Sequence, residues 1–413
     1  MRFGLFYEHN LPRPWQQGDE QRLFTEILDQ VELADRLGYG YVWQVEHHFL
    51  EEYSHSSAPE VLLGAYSQRT RDIRLGHGII QTPPQYNHPA RVAERVATLD
   101  LVSGGRVEFG TGESSSVAEL GGFGLDRSDK REAWREGTRA AVRLMVEEPF
   151  TGIDGRFVKM PPRNCVPKPV QKPHPPLWLA CSQRETIHLA AQSGMGALAF
   201  AFVSVSEAEQ WVSDYYRTIA KECVPIGEAI NPSVAIVTPL MCCPSEEEAK
   251  AKGEQGAHFF AYALAWYYAF GSHAPGRSEI WKRYLETGDA FVSFREQMMG
   301  QAPDAIRGCI GTPDQIREVL RAYEEAGVDQ VIFFSQCGHN RHEDICESYD
   351  LLAREVLPEF MDRDAAAEPD RARRVAAWNA DALERRSLAE PEPDPDYTID
   401  APMVQGATGA GLF

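Results

Sequence analysis

Two adjacent histidines follow a carboxylate in the segment Glu46-His47-His48-Phe49. Histidine exchanges a proton near neutral pH, and a neighbouring carboxylate can hold its ring in one tautomer. The segment ends an apolar run, residues 41–45, that is typical of a buried strand. In parallel α/β proteins, ligands bind at the carboxyl ends of the strands. From these four residues alone, a structural cap and a catalytic pair are equally good interpretations.

The elements that must position this segment form a regular alternation of short apolar runs and longer amphipathic segments. The runs predict strands over residues 2–7, 41–46, 73–80, 106–111, 177–180, 197–202, 233–240 and 330–335. Helices are predicted over residues 23–37, 89–101, 131–146 and 313–326, and Gly38, Gly194 and Gly327 follow helical stretches at the C′ position. This pattern predicts an α/β fold of the (β/α)8 TIM-barrel type, because the eighth strand can close on the first.

Two insertions and a tail exceed what a bare barrel needs. Residues 150–176, after the fourth strand, are rich in proline, and residues 252–300 follow the seventh strand. The second insertion is interpreted as an extra amphipathic helix, as a lid over an apolar substrate pocket lined by Trp266, Tyr267 and Phe270, or as both. The expected division is a barrel domain over residues 1–360 and a helical, then flexible or oligomer-wrapping, arm over residues 361–413.

Composition excludes several classes of function. The formal net charge of −20 argues against nucleic acids and anionic membranes as partners. We find no apolar stretch of about 18 residues that could span a bilayer and no secretory signal. The eight cysteines are scattered and form no C-x-x-C pair, so neither a disulfide framework nor a zinc ribbon is expected. A cytoplasmic location is the expectation.

Small and hydroxyl-bearing residues are predicted at neighbouring strand ends. Gly112 follows the fourth strand, and Ser182 and Thr186 follow the fifth, at the start of a predicted helix. Hydroxyl and N–H groups in a first helical turn suit an anion, so a planar cofactor with a phosphate fits this arrangement. Ordinary helix capping explains each hydroxyl equally well. Neither a phosphate-binding P-loop nor a dinucleotide glycine fingerprint is present.

An ordered series of motifs resembles the bacterial luciferase-like flavin monooxygenase family over roughly residues 1–360. The series comprises MRFGLF (1–6), GYGYVW (38–43), EHHF (46–49), HPARVAE (88–94), LDLVSGGR (99–106), PLW (176–178) with the residues through Thr186, and GTP (311–313). The resemblance implies a barrel that binds reduced FMN or, in some branches, the deazaflavin F420. It also implies that the first histidine, His47, handles protons in catalysis, with Glu46 as its neighbour.

The resemblance also implies a set of cofactor-binding positions. A non-prolyl cis peptide is expected at Gly78–Ile79, beneath the flavin ring. Ser182 and Thr186 match the phosphate-side hydroxyls, and Arg131 is a second phosphate contact. The complete implied set is Gly78, Ile79, Gly112, Arg131, Ala180, Cys181, Ser182 and Thr186.

The chain departs from luciferase itself at two of these places. Luciferase has a reactive cysteine and an arginine where this chain has Gly112-Glu113, and a glutamate where this chain has Cys181. Because a carboxylate close to a phosphate is unfavourable, Glu113 is expected to point elsewhere or to meet the substrate. Aldehyde luminescence is therefore not implied.

The expected function is a monooxygenase that uses reduced FMN and O2 on an apolar organic substrate. A separate reductase would supply the flavin, because no NAD-binding fingerprint is present, and a homodimer is expected. An F420-dependent hydride-transfer oxidoreductase and a non-catalytic flavin-binding protein are the alternatives. A metal hydrolase built on His47, His48, His77 and His88 is disfavoured, because adjacent strand residues point to opposite faces; no metal is expected.

Overall fold

Eight parallel strands close into a barrel in the computed structural model, which describes residues 1–199, 205–288, 308–386 and 394–399. The barrel strands are β1 Arg2–Tyr7, β2 Tyr41–Gln44, β3 Arg74–His77, β5 Val107–Gly112, β8 Leu177–Cys181, β9 Gly196–Ala199, β10 Val234–Cys242 and β12 Gln330–Phe334. β12 pairs with β1, and β9 pairs with β10, so the sheet has no open edge between the first strand and the last. The predicted TIM barrel is confirmed. The end of the sixth predicted strand, residues 200–202, lies outside the described residues.

Helices follow the strands and cover the barrel. They are α1 Asp19–Arg36, α2 Pro59–Arg69, α3 Pro89–Val102, α4 Val117–Gly122, α5 Lys130–Val146, α6 Arg184–Gln192, α7 Val205–Glu222, α8 Glu246–Ala265, α9 Pro313–Glu325, α10 His342–Glu355 and α11 Leu357–Glu384. Gly38, Gly194 and Gly327 have φ of 85°, 69° and 85° just beyond α1, α6 and α9. The predicted helix ends are thereby confirmed, because only glycine enters this left-handed region without strain.

Two tryptophans opposite glycines fill the barrel interior. Trp43 on β2 and Trp178 on β8 meet edge to face at 5.1 Å. A Cβ on Gly76 would lie 2.2 Å from the Trp43 ring, and one on Gly196 would lie 2.3 Å from the Trp178 ring. The two large side chains therefore fit only because the residues paired with them on the adjacent strands, Gly76 and Gly196, have no side chain.

The two insertions have structures of their own. The first carries a small antiparallel hairpin of β6 Ile153–Asp154 and β7 Lys159–Met160. The second continues α8 into a π-helix, Trp266–Phe270, followed by a helical stretch over residues 280–288. Residues 289–300 of this insertion lie outside the described residues. Short strands β4 Ile80–Gln81 and β11 Cys309–Gly311 extend the pairing at β5 and β10.

The tail begins as one long helix that lies on the barrel. Helix α11 runs through the boundary expected at residues 360–361, and Phe360 and Ala382 are both fully buried. Part of the expected arm therefore packs against the barrel, while residues 387–393 and 400–413 of that arm lie outside the described residues. No helix within the described ranges is long and apolar enough to cross a bilayer.

Candidate active site

The segment after β2 places His47 at the carboxyl end of the barrel. The Ser56 hydroxyl donates to the Val45 carbonyl, and the His47 backbone N–H donates to the Ser56 carbonyl at 2.8 Å. Phe49 then turns the chain with a positive φ of 65°. A Cβ on Gly122 of α4 would come within 2.4 Å of the Phe49 ring, so α4 can lie this close only with glycine there.

His47 lies between two buried carboxylates. Its Nδ1 lies 3.0 Å from Oε1 of Glu119, and its Nε2 lies 3.7 Å from Oε1 of Glu8. Glu119 is fully buried, Glu8 is 2% exposed, and the His47 side chain is 14% exposed. The Tyr53 hydroxyl donates to the same oxygen of Glu8 at 2.9 Å. The short contact thus orients the ring through Nδ1 and leaves Nε2 as the less constrained nitrogen.

Helix α4 holds Glu119 against His47. Ser116 caps the helix by accepting from the Glu119 N–H at 3.5 Å, so Glu119 occupies the first turn, where the helix dipole favours a negative charge. The His48 backbone N–H also donates to Oε1 of Glu119 at 3.0 Å. The carboxylate is therefore held beside the imidazole by the His48 N–H and by the position of Glu119 in α4.

The surroundings of His47 favour the charged imidazolium. Burial lowers the pKa of His47, but the charges of Glu8 and Glu119 and the hydrogen bond that His47 donates to Glu119 outweigh burial and raise the pKa to about 9. Burial also raises the pKa of Glu8. At neutral pH the imidazole is accordingly a proton donor with a carboxylate at each nitrogen.

Glu46 partners His48, not His47. Its Oε1 accepts from His48 Nε2 at 3.0 Å and from the Asn87 amide at 2.9 Å, and its Oε2 accepts from the Gln81 N–H at 2.8 Å. The expectation that the preceding carboxylate would orient the His47 ring is wrong. Side chains two apart in an extended segment share a face, whereas neighbours point to opposite faces.

The four histidines considered as metal ligands have separate surroundings. His77 is fully buried inside the barrel, beside the Glu108 carbonyl, and His88 caps α3 by accepting from the Ala90 N–H. His48 packs edge to face on Phe123 at 4.9 Å. Within the part of the chain that the structure describes, no group of three or more histidine, cysteine or acidic side chains is arranged to hold a metal.

The expected flavin platform at Gly78–Ile79 differs from the resemblance. All cis peptide bonds among the described residues precede proline, so the Gly78–Ile79 bond is trans and the expectation of a cis bond is wrong. The Gly78 N–H donates to the Gln44 carbonyl at 2.7 Å, and a trans bond is about 3–4 kcal/mol cheaper for a non-proline residue. Ile79 packs against Gly112, because a Cβ added to Gly112 would lie 2.3 Å from Cδ1 of Ile79.

The expected phosphate residues meet at the start of α6. Ser182 is exposed there, while the Thr186 hydroxyl donates to the Gln183 carbonyl at 2.8 Å as part of the helix cap. Cys181 is fully buried and Ala180 is partly exposed at the end of β8. Arg131 lies beside this turn, paired with Glu113 at 3.2 Å and with Glu185. Glu113 thus points to Arg131 and Lys130, which lies 3.3 Å away.

The three aromatic residues expected in the substrate pocket lie on the π-helix and make different contacts. The Tyr267 ring lies 6.4 Å from that of Tyr53, which is next to His47. Trp266 and Phe270 instead contact each other at 5.7 Å, and both contact Tyr262. Tyr267 therefore lies at the end of the barrel that carries His47.

A strap of residues 276–281 ties this insertion to the barrel. Glu51 accepts from the Gly276 N–H and the Ser278 hydroxyl, both at 2.6 Å. Glu52 accepts from the N–H groups of Ile280 and Trp281 at 2.7 and 2.9 Å. The two carboxylates that follow the Glu46-His47-His48-Phe49 segment thus hold the insertion over the same end of the barrel.

Sequence reasoning missed Glu8, Glu119, Tyr53 and Tyr268. Burial, followed by the charges of Glu119 and Glu8, raises the pKa of the Tyr268 phenol, and Tyr268 as a residue is 37% exposed. A signal existed for Glu119, because Ser116-x-x-Glu119 is a capping-box pattern. Another existed for Glu8, a carboxylate directly after the first predicted strand.

Known proteins share both the sequence pattern and this architecture. A family model described as luciferase-like monooxygenase matches residues 1–330. The oxygenase component of a flavin-dependent trigonelline monooxygenase from Acinetobacter baylyi is 24% identical over 373 residues, covering 88% of this chain and 96% of that protein.

Two solved structures with different cofactors share the fold. The oxygenating constituent of 3,6-diketocamphane monooxygenase from Pseudomonas putida, in complex with FMN, matches with a TM-score of 0.68 at 18% identity, over 87% of this chain and 98% of that one. An F420-dependent secondary alcohol dehydrogenase with an F420-acetone adduct matches with a TM-score of 0.65 at 16% identity, over 86% and 98%. Given the match of the family model over most of its length, this chain belongs to the luciferase-like monooxygenase family.

Proposed function

We propose that the protein is the oxygenating component of a two-component flavin monooxygenase, which uses reduced FMN and O2 on an organic substrate with an apolar body. The observation that carries the proposal is the imidazole of His47, held between Glu119 and Glu8 at the carboxyl end of the barrel. Oxygen transfer requires proton delivery to oxygen, and a positioned imidazolium supplies it.

The residues at the strand ends fit a flavin with a phosphate. The exposed Ser182 hydroxyl and the first turn of α6 would hold the phosphate, with Arg131 beside them. The amide oxygen of Gln81, which is 1% exposed, has no hydrogen-bond donor within the described residues and would accept from a ring N–H. Bound reduced flavin would supply the electrons that activate O2. The contacts of Arg131 with Glu113 and Glu185 would have to loosen for it to reach the phosphate.

His47 would hold and move the proton at its Nε2 atom. Glu119 binds Nδ1 at 3.0 Å, so that nitrogen is fixed, whereas Glu8 lies 3.7 Å from Nε2, beyond hydrogen-bond distance. A reacting oxygen that approached Nε2 would compete with a weak contact. We therefore assign orientation of the ring to Glu119 and proton transfer to Nε2.

The substrate would lie between His47 and the second insertion. Tyr53 contacts His47, Tyr267 and Phe260 at ring distances of 5.8, 6.4 and 5.5 Å, which gives this region apolar walls close to the proton donor. Trp266 and Phe270 would support the insertion through their contacts with each other and with Tyr262. A substrate with an apolar body and one reacting group fits these surroundings best.

The partners in this proposal are a separate reductase and a second copy of the chain, acting in the cytoplasm. The words "oxygenase component" in the name of the trigonelline relative support a two-component system. Sedimentation velocity of the purified chain tests the homodimer: a single species at twice the mass of 46.3 kDa is expected, and a monomer at micromolar concentration would contradict it.

Cofactor binding separates the proposal from its alternative. An F420-dependent hydride-transfer enzyme is the second candidate, favoured by the likeness to the F420-dependent alcohol dehydrogenase fold. Equilibrium titration of the purified chain with FMN, reduced FMN and F420 is the test. We expect reduced FMN to bind at least about tenfold more tightly than F420, a difference of about 1.4 kcal/mol. Tight F420 binding without FMN affinity would replace the proposal by the second candidate, and binding of neither would reject both.

A further inference from the structure

Two carboxyl groups, those of Glu8 and Glu119, lie beside the single imidazole of His47. Both lie against this one imidazole, so a protonated His47 carries only one positive charge for two carboxyl groups. Oε1 of Glu8 accepts from Tyr53, but Oε2 has no hydrogen-bond partner among the described residues, although Glu8 is 98% buried (2% exposed). A buried carboxylate oxygen without a donor is unfavourable, and its presence in a candidate site indicates a partner that the protein does not provide.

Nearby polar groups are already committed to other contacts. The Ser54 hydroxyl, next to Tyr53, donates to the backbone carbonyl of Glu8 at 2.8 Å, and its interaction with the Glu8 side chain lowers the pKa of that carboxyl. Lys130 and Arg131, which begin the helix after α4, lie within 3.3 Å of Glu113. Arg13 pairs with Glu51 at 3.0 Å. None of these basic residues is left to neutralise Glu8.

A group of aromatic side chains begins at the same carboxylate. The Tyr53 hydroxyl touches Glu8, and the Tyr267 ring lies 6.4 Å from the Tyr53 ring. The Phe260 ring lies 5.5 Å from the Tyr53 ring. Burial, followed by the charges of Glu119 and Glu8, raises the pKa of the Tyr268 phenol. Rings together with an unpaired carboxylate form the surroundings that alkylated ammonium groups prefer, because the ring faces attract a cation that makes no strong hydrogen bonds of its own.

We propose that the substrate carries a cationic nitrogen, as an alkylated ammonium or a related cation, which binds beside Oε2 of Glu8 while its apolar body lies against Tyr53 and Tyr267. This inference names the substrate class of the oxygenase proposed above and rests on that proposed function. The cation places the carbon to be oxygenated within reach of His47 Nε2, 3.7 Å from the other oxygen of the same carboxylate. Glu8 acts here as a specificity-determining residue.

An isosteric pair of small probes tests the charge preference without turnover. Choline and 3,3-dimethylbutan-1-ol have the same shape and differ by one positive charge. Calorimetric titration of the full chain should show choline binding at least about tenfold more tightly than the neutral alcohol at pH 7.5. In Glu8→Gln, which keeps the shape and removes the charge, the preference should fall to about one. Equal affinity of the wild-type chain for both probes, or an undiminished preference in Glu8→Gln, would overturn the inference.

Two further variants locate the effect. Glu279→Gln removes one charge from a side chain that is 57% exposed, and it should leave the preference unchanged. Glu8→Asp keeps the negative charge but moves it away from the bound probe, so its preference for choline should lie between those of the wild-type chain and Glu8→Gln. This variant provides the test of Glu8 if Glu8→Gln does not fold. A preference lost equally in Glu279→Gln would assign it to overall charge and overturn the inference.

The outcome is separate from that of the proposed function. Flavin affinity is measured on the same protein without the probes. Flavin binding with no cation preference leaves the oxygenase proposal standing and rejects the substrate class. A cation preference that depends on Glu8 in a chain that binds neither FMN nor F420 supports the cation site and rejects the oxygenase.

Discussion

Two buried histidines lie at the ends of neighbouring strands and have opposite protonation. His47, at the carboxyl end of the barrel, has its pKa raised to about 9, because Glu8 and Glu119 outweigh burial. His77, inside the barrel at the end of β3, has its pKa lowered to about 4, because burial is opposed only weakly by a backbone carbonyl 3.3 Å away. Burial is common to both residues, so the carboxylates make the difference. A buried histidine becomes a proton donor only where the fold supplies negative charge.

The two carboxylates come from elements that are far apart in the sequence. Glu8 follows β1, and Glu119 lies on α4 after β5. Barrel closure brings the ends of these strands to one rim, where chemistry in this architecture is found. The interior around His77 is instead filled by large side chains such as Phe109, whose ring lies 6.3 Å from the imidazole. Carboxylates therefore lie beside His47 at the rim, whereas an aromatic ring packs against His77 in the interior.

Replacing His47 should have the largest effect on activity. His47→Gln keeps an N–H donor between the carboxylates but cannot donate a proton, so oxygenation should fall by about 10²–10⁴-fold, with flavin affinity within about twofold of wild type. The measurement is incorporation of ¹⁸O from labelled O2 into product, with reduced FMN supplied chemically. His48→Gln is the matched control and should keep most of the activity. Unchanged turnover in His47→Gln would remove His47 from the mechanism.

The dependence of stability on pH should distinguish the two histidines by sign. The pKa of His47 in the folded state, about 9, lies above the unfolded value of about 6.5, so its contribution is fully present below pH 6.5 and is lost as the pH rises through 9. The advantage of wild type over His47→Gln in unfolding free energy should thus shrink between pH 6 and pH 10 by on the order of 3 kcal/mol.

His77 should show the reverse dependence. Its folded pKa, about 4, lies below the unfolded value, so its contribution is present above pH 6.5 and is lost as the pH falls toward 4. Urea unfolding of the wild type, His47→Gln and His77→Gln across this pH range makes both comparisons. The same sign for both histidines would show that carboxylates do not control the protonation of His47.

Ser182→Ala should have the smallest effect among the substitutions. Loss of one hydroxyl at the start of α6 removes one hydrogen bond to the phosphate, about 0.5–1.5 kcal/mol, so FMN affinity should fall by about 2- to 13-fold. Ser193→Ala, at the other end of the same helix, is the control and should bind FMN as the wild type does. Equal affinity in both variants would place the phosphate elsewhere on the rim.

Local patterns in the sequence were enough to predict the framework. The eight strands and the glycine-terminated helices follow from periodicity and from residues such as Gly38 and Gly327, because these signals are short-range. The contact between His47 and Glu119 spans 72 residues and depends on the closure of the barrel, so no local pattern encodes it. The expectation for Glu46 fails for a related reason, because adjacent residues of an extended segment point to opposite faces and Glu46 therefore bonds to His48.

The protonation state of His47 is the most direct test of the central claim, because it depends on both carboxylates at once. Histidine side chains labelled with ¹⁵N would be followed by NMR from pH 5 to pH 11, with His47→Gln used to assign the resonance. A midpoint near pH 9 in the wild type is predicted, falling by about one to three units in Glu119→Gln because an opposite charge at this distance is lost. A midpoint below 6.5 in the wild type would contradict the account, since it would make His47 a neutral buried ring like His77.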